Sequence, residues 1–304
     1  MTIPSKTKGW AISGFQDKTH AGKNLGKDSL LTGISVFIGS IALIAAAVAQ
    51  PNTAPPDLSS NESTWRHFGA ELTAVPGFPG PGPVRDDPAH RYVTNTNGVQ
   101  ADGVQASYHI ADLSDPNLTQ WAKGIMKKDN DEVLAGKIAY APHQSCMPAG
   151  VPDFDFVSGA RPIYFIQTPR EVLMIWEGDH QFRHIYLNVP HSKNPKPSWF
   201  GDSVGHYEGN TLVVDTIGQN TRTFVDEYRT PHSDKLHVQE RWTLSDDGKT
   251  LSITVLVDDP ATFKQPWSGT TKFRREQKPM IEIACAENNE HFDFHIPVAD
   301  KADF

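Results

Sequence analysis

Four charged side chains fall in step with apolar residues along strand-like stretches: Glu177 with Leu173 and Ile175, Arg183 with Ile185 and Leu187, Asp215 with Val213 and Ile217, and Glu240 with Val238 and Trp242. In an extended chain residues two apart share a face, so each charge is expected on the side that buries apolar surface. A charge taken out of water is costly unless it is paired. Three carboxylates and one guanidinium in such places read in two ways: a buried salt-bridge network, or the polar floor of an apolar pocket. In the second case burial raises a carboxyl pKa far enough for general acid or base work.

Histidines crowd the same half of the chain. The stretch TPHSDKLHVQER puts His232 in a loop before a strand and His237 on the strand face opposite Glu240, with Asp226, Ser233 and Asp234 close in sequence. A loop histidine among carboxylates can act as a base, a proton shuttle or a metal ligand. No spacing matches the short helical pair of a zinc site, so no metal is expected. The segment PKPSWFGDSVGHYEGNTLVVDT carries Trp199 and Phe200 in a loop bounded by Pro and Gly. Such a loop can close over an apolar ligand or simply plug a barrel mouth. Ser203 and His206 make no recognisable triad. The chain has no G-x-S-x-G elbow, P-loop or dinucleotide fingerprint, which disfavours esterases of the α/β-hydrolase type and nucleotide enzymes; no organic cofactor is expected.

The elements that must position these groups follow from periodicity. After Gly159 the apolar period is two, in the runs PIYFIQT, EVLMIWE, FRHIYLN, DSVGHYE, TLVVDTIG, LHVQERWTL, LSITVLVDD and TKFRREQ, with turn signals at EGDHQ, EGN and SDDGK. Short hairpin connections imply antiparallel neighbours, and so many sequential strands close into a barrel or fold into a sandwich. The expected class is mostly β: an antiparallel meander closing into a lipocalin-like barrel with a ligand cavity, or alternatively a β-sandwich. One helix should precede it, because Leu118, Trp121, Ala122, Ile125 and Met126 recur at helical spacing, with Asp115 or Asn117 as cap and Gly136 as stop.

The remaining organisation concerns the ends and the compartment. Residues 29–49 carry no charge, five lysines precede them, and Ala47-Val48-Ala49 resembles a signal cleavage site. Residues 1–49 are therefore expected to be a signal peptide or an uncleaved N-terminal anchor, residues 50–105 a Pro/Gly-rich tether and irregular segment, and residues 106–304 a single β-rich domain. That places the domain in the periplasm or outside the cell, with a membrane tether through residues 29–49 if they are retained. Beyond residue 49 there are 23 basic against 34 acidic side chains, a net charge of −11, so nucleic acid is an unsuitable partner. The chain has two cysteines, Cys146 and Cys285. In an oxidising compartment a disulfide is the expected state, with free thiols as the alternative.

The stretches CMPAGVP, YFIQTPREVLMIWEGDHQFRHIYLN, PSWFGDSVGHYEGNTLVVDTIG, TPHSDKLHVQERW and CAENN resemble a large family of exported proteins of environmental bacteria to which no activity is assigned. The resemblance spans roughly residues 115–290. It fits the Cys146–Cys285 pairing and marks Arg183, His191, Trp199, Ser203, Glu208, Asp215, Asp226, His232, Glu240 and Arg241, without implying a mechanism. The functional expectation is a cofactor-independent enzyme that performs hydrolysis, hydration or elimination on a small, largely apolar or aromatic molecule. His232 with Asp226 would be the acid/base group, Glu240 and Arg241 would support it across the cavity, and Arg183, Trp199, Glu177, Asp215, Ser203 and His191 would hold the substrate. The alternatives are a lipocalin-like carrier of an apolar or aromatic ligand and an envelope scaffold with a filled lumen.

Overall fold

Alternating strands joined by tight turns are what the sequence after Gly159 encodes, and a computed structural model shows them closing on themselves. It describes residues 54–78, 80–91, 109–137, 140, 142, 146–153, 162–178 and 181–282. The chain divides into two units, Met1–Gln50 and Pro51–Phe304. The first unit, and with it the expected signal or anchor, lies outside the described residues. No helix among those residues is long and apolar enough to cross a membrane.

Nine strands among the described residues form a closed barrel: β1 Thr64–Thr73, β2 Ile163–Gln167, β3 Glu171–Trp176, β4 Gln181–Leu187, β5 Asp202–Glu208, β6 Thr211–Ile217, β7 His237–Leu244, β8 Thr250–Asp258 and β9 Trp267–Glu276. Each pairs with its sequence neighbour, and β9 returns to β1 through pairs such as Thr64 with Glu276 and His67 with Phe273. The eight runs read from the sequence supply β2 to β9. The closing strand comes from TWRHFGAELT, within a segment expected to be irregular. Its register shifts against β9 between Phe68 and Thr73, which breaks the alternation that would have revealed it.

One pair departs from the antiparallel expectation. β4 and β5 run parallel, matched at Tyr186 with Val204 and Leu187 with Gly205. A parallel neighbour cannot be reached by a hairpin. Residues 188–201 accordingly travel the length of the barrel outside it before entering β5. Gly205 is glycine because a Cβ there would lie 2.8 Å from the Val213 carbonyl and 3.0 Å from the Ile185 side chain, so any larger residue would push the seam apart.

The helix α1 spans Gln120–Leu134, and Gly136 ends it with φ +83°. Its cap is Thr119, whose side chain accepts from the Ala122 N–H, rather than Asp115 or Asn117. Those two serve the preceding loop instead: Asp115 accepts from Asn117 N, and Asn117 bonds Gln265. Thr119 also ties α1 to the β8–β9 connection through Thr262 and Ala261. With the long 218–236 connection and residues 146–153, α1 caps one end of the barrel.

Inward-facing side chains fill the lumen. Trp65, Phe165, Met174, Ile185, Val214, Trp242, Ile253 and Val255 are each 0 or 1 % exposed, so no water-sized space touches them. Burying such side chains contributes about 1.5–3 kcal/mol each. Among the described residues, large aromatic side chains occupy this level of the lumen and leave no ligand cavity there.

Candidate functional site

The barrel core contains one polar layer. Arg183, on the inward face of β4, meets Glu240, on the inward face of β7, through both guanidinium nitrogens: Nη1 donates to Oε1 at 2.9 Å, and Nη2 donates to Oε2. Arg183 Nη2 also donates to Thr216 Oγ1 at 3.1 Å and Ser203 Oγ at 3.4 Å, while Trp242 Nε1 donates to Glu240 Oε1 at 3.0 Å. Arg183 and Glu240 are both 0 % exposed. This fork-to-fork pairing is the geometry in which a buried ion pair can offset its desolvation. It is also closed to any substrate, since its donors and acceptors are turned on one another and no solvent reaches it.

The other residues singled out from sequence separate into different places. Asp215 lies on the outer face of β6, because Leu212, Val214 and Thr216 take the inner one. There it accepts from His191 Nε2 at 2.7 Å, His237 Nε2 at 2.9 Å and Gln239 Nε2 at 2.9 Å. Burial would raise its pKa, but these donors prevail and hold the carboxyl below the usual range. His191 belongs to the external 188–201 crossover, and its Nδ1 faces Asp202 at 3.3 Å; the set fastens that crossover to β5 and β6. Arg241 also points outward, paired with Glu208 at 2.8 Å, so it does not support a site across the lumen. Glu177 is buried just past β3 on the Leu173 side, where its carboxylate accepts from Ile281 N at 3.1 Å. Trp199 sits under the Arg222 guanidinium, 5.2 Å from the ring centre. Ser203 is in the core layer with Arg183.

His232 and Asp226 are both buried in the cap, but they are not partners. The His232 Nδ1–H donates to the Ser233 carbonyl at 2.9 Å, which leaves Nε2 to accept from Thr223 Oγ1 at 2.8 Å. Both nitrogens are thus engaged, and burial lowers the pKa. The ring is a neutral structural pin. Asp226 organises the turn after it, accepting from Tyr228 N at 3.0 Å, Thr230 N at 3.2 Å and Thr230 Oγ1 at 2.8 Å. Complete burial nevertheless pushes its pKa up to about 6.

A different constellation surrounds Asp226. Backbone pairing of Arg85 with Asp112 and of Asp87 with Ile110 sets residues 85–87 beside 110–112, and the Asn130 side chain of α1 holds Ala111 through both its N–H and its carbonyl. This brings His109 between two carboxylates, with Nδ1 2.8 Å from Asp86 Oδ1 and Nε2 3.2 Å from Glu227 Oε2. Tyr228 packs edge-on against the imidazole at 5.0 Å, and Arg229 Nη2 donates to the His109 carbonyl at 3.0 Å. Asp153 completes the group. It is 5 % exposed, its Oδ1 has no hydrogen-bond partner among the described residues, and burial, reinforced by Glu227 and Asp226, raises its pKa well above its ordinary value. Gly150, at φ +88°, lets the 146–153 segment lie against Thr223; a Cβ there would be 2.6 Å from that side chain.

His109, Asp86, Asp153, Glu227 and Arg229 were not among the residues expected from sequence. Glu227 and Arg229 adjoin Asp226 in VDEYRTPH, and Asp153 directly follows CMPAGVP, so adjacency to those stretches was the available signal. Asp86 and His109 are joined to them only by folding.

Among the described residues no group of three or more His, Cys, Asp or Glu side chains is arranged to hold a metal ion. No described cysteine is a free thiol, and Cys285 lies outside the described residues. Compared with protein-family models, curated proteins and solved structures, the chain matches none.

Proposed function

We propose that this is an exported enzyme that transfers protons by general acid/base chemistry, and that its centre is the His109–Glu227–Asp153 cluster at the capped end of the barrel rather than the lumen. The observation that carries the reading is the pairing of unlike groups: a histidine clamped by two carboxylates, near a buried carboxyl with an oxygen that has no partner among the described residues. A carboxylate facing each His109 ring nitrogen favours the protonated ring, from which it can act as an acid. Loss of one proton to solvent through the partly exposed Glu227 makes it a base. Burial raises the Asp153 pKa and so favours its protonated form, which can donate to an oxygen leaving group. Perturbed carboxyls clustered with a histidine favour a functional site. The reactions within reach are hydrolysis, hydration or elimination on a small, uncharged, largely apolar molecule.

Export of the domain, its resemblance to exported proteins of environmental bacteria, and a Cys146–Cys285 disulfide belong to the same proposal. They rest on the basic and apolar leader and on the absence of a described free thiol. The filled lumen favours a second reading, an envelope scaffold with no ligand. A carrier would need to displace the Arg183–Glu240 layer to use the lumen.

The full chain, recovered from the periplasm, should turn over at least one of a panel of small esters, lactones and epoxides. His109→Gln should lower that turnover about a hundredfold while leaving the circular dichroism spectrum unchanged. If the panel is untouched, or if the variant matches wild type, the scaffold reading replaces this one.

A further inference from the structure

The open end of the barrel, opposite α1, carries a groove of about 520 Å³. That is within the roughly 300–1,000 Å³ of small-molecule sites. Its apolar walls are the rings of Pro55, Pro56 and Pro169 with Leu187, and its polar groups include Asp57, Gln167, Asn188 and Tyr207. Gln167 determines what Tyr207 can do. Its Oε1 accepts from Leu58 N at 2.7 Å and Ser59 Oγ at 3.1 Å, which fixes the orientation of the amide. Its Nε2 must then be the donor to Pro56 O at 3.0 Å and to the Tyr207 hydroxyl oxygen at 2.8 Å. Every hydrogen-bonding position of Gln167 is used, so the Tyr207 hydroxyl proton has no return partner there and is left to donate elsewhere.

Two more groups are uncommitted. The Asn188 side-chain amide makes no hydrogen bond among the described residues, although the residue is fixed at φ +58° and its N–H donates to Gly205 O at 2.8 Å. Asp57 accepts Ser59 N on one oxygen at 3.1 Å, and its other oxygen is open among the described residues. The groove thus offers one hydroxyl donor, one amide that can both donate and accept, and one carboxylate acceptor around an apolar floor. An anion would meet the Asp57 carboxylate, no cation among the described residues lines the groove, and Arg275 beside it is committed to the Asp57 and Ser59 carbonyls. A hydrocarbon would bury the Tyr207 hydroxyl and the Asn188 amide without partners, at about 1–3 kcal/mol each. A molecule with a C–H face and a rim of hydroxyls satisfies both requirements. We infer that this groove binds a neutral saccharide through a pyranose ring, with Tyr207, Asn188 and Asp57 reading its hydroxyls.

Titrating the full-length protein with D-glucose and with cellobiose, followed by saturation-transfer and chemical-shift NMR, should show saturable binding at millimolar concentration. Tyr207→Phe should weaken it about tenfold, the loss of one hydrogen bond. Asn188→Gly, which keeps the positive φ available, should weaken it by a similar factor. The groove is remote from His109, so turnover of the small-molecule panel should be unchanged in both variants. Absence of saturable binding by either sugar, or equal binding by wild type and both variants, overturns the inference.

Discussion

Replacing Arg183 with Met should destabilise the domain by about 3–5 kcal/mol, because Glu240 would lose its counter-charge in a layer that no water reaches and would have to remain as an unpaired charge or take up a proton. Glu240→Leu should cost a similar amount, for the converse reason. The double variant should recover at least half of the summed loss, since an apolar pair of similar volume removes both desolvation penalties. Urea unfolding of the four proteins forms a complete cycle. If either single variant lost less than about 1 kcal/mol, the layer would be accessible to water, and the lumen would return as a possible ligand site. The cycle therefore tests stability and the location of function together.

The second large effect concerns Asp153 and Asp226. Asp226 titrates near 6 in the folded protein against an ordinary value of 3.8. The folded state therefore binds more protons than the unfolded one between those limits, and stability falls as pH rises through them, by about 3 kcal/mol for this group. Asp153 is displaced in the same direction. The Asp153→Asn/Asp226→Asn protein should consequently equal or trail wild type at pH 4 and exceed it at pH 7.5 by about 3 kcal/mol or more, while turnover falls about a hundredfold. His232, whose pKa burial lowers, works the opposite way below pH 6.5, but it is common to both proteins and cancels in the difference. His237, raised by Asp215, adds stability that is lost only as pH climbs past the ordinary histidine range. An unchanged pH slope in the variant would remove the buried-proton account of the cluster. A gain in stability without a loss of turnover would leave the carboxyls strained but uninvolved.

Most of the barrel was legible because turns such as Gly209-Asn210 punctuate strands of period two. Inward assignment succeeded for Arg183 and Glu240, whose strands carry polar or exposed residues on the other face. It failed for Asp215 and Glu177, since β6 and β3 are apolar on both faces and alternation there gives no preference; a one-residue change of face reverses every side chain. β1 was hidden by its irregular register and by the Pro- and Gly-rich sequence around it. The cluster at His109 was hidden for a different reason. Its members come from residues 86, 109, 153 and 227, and only the cap's folding joins them. His232, prominent in sequence, proved to be a pin for the cap through Thr223 and Ser233, a role its residue type does not distinguish from catalysis.

Closure of the barrel by β1 and β9 bears on the proposed export of the chain. Arg66 and Glu276 pair across 210 residues of sequence, so the ring cannot be sealed until nearly the whole domain is present. Such high contact order slows folding, because the entropy of joining distant ends is lost before their contacts form. For a polypeptide threaded amino-terminus first across a membrane, as the proposed export requires, that delay is useful: the leading strand keeps one edge unpaired until the trailing one arrives. The same geometry leaves strand edges exposed in the interval, so on the proposed export a holding chaperone on the far side would have its greatest effect before residue 276 emerges.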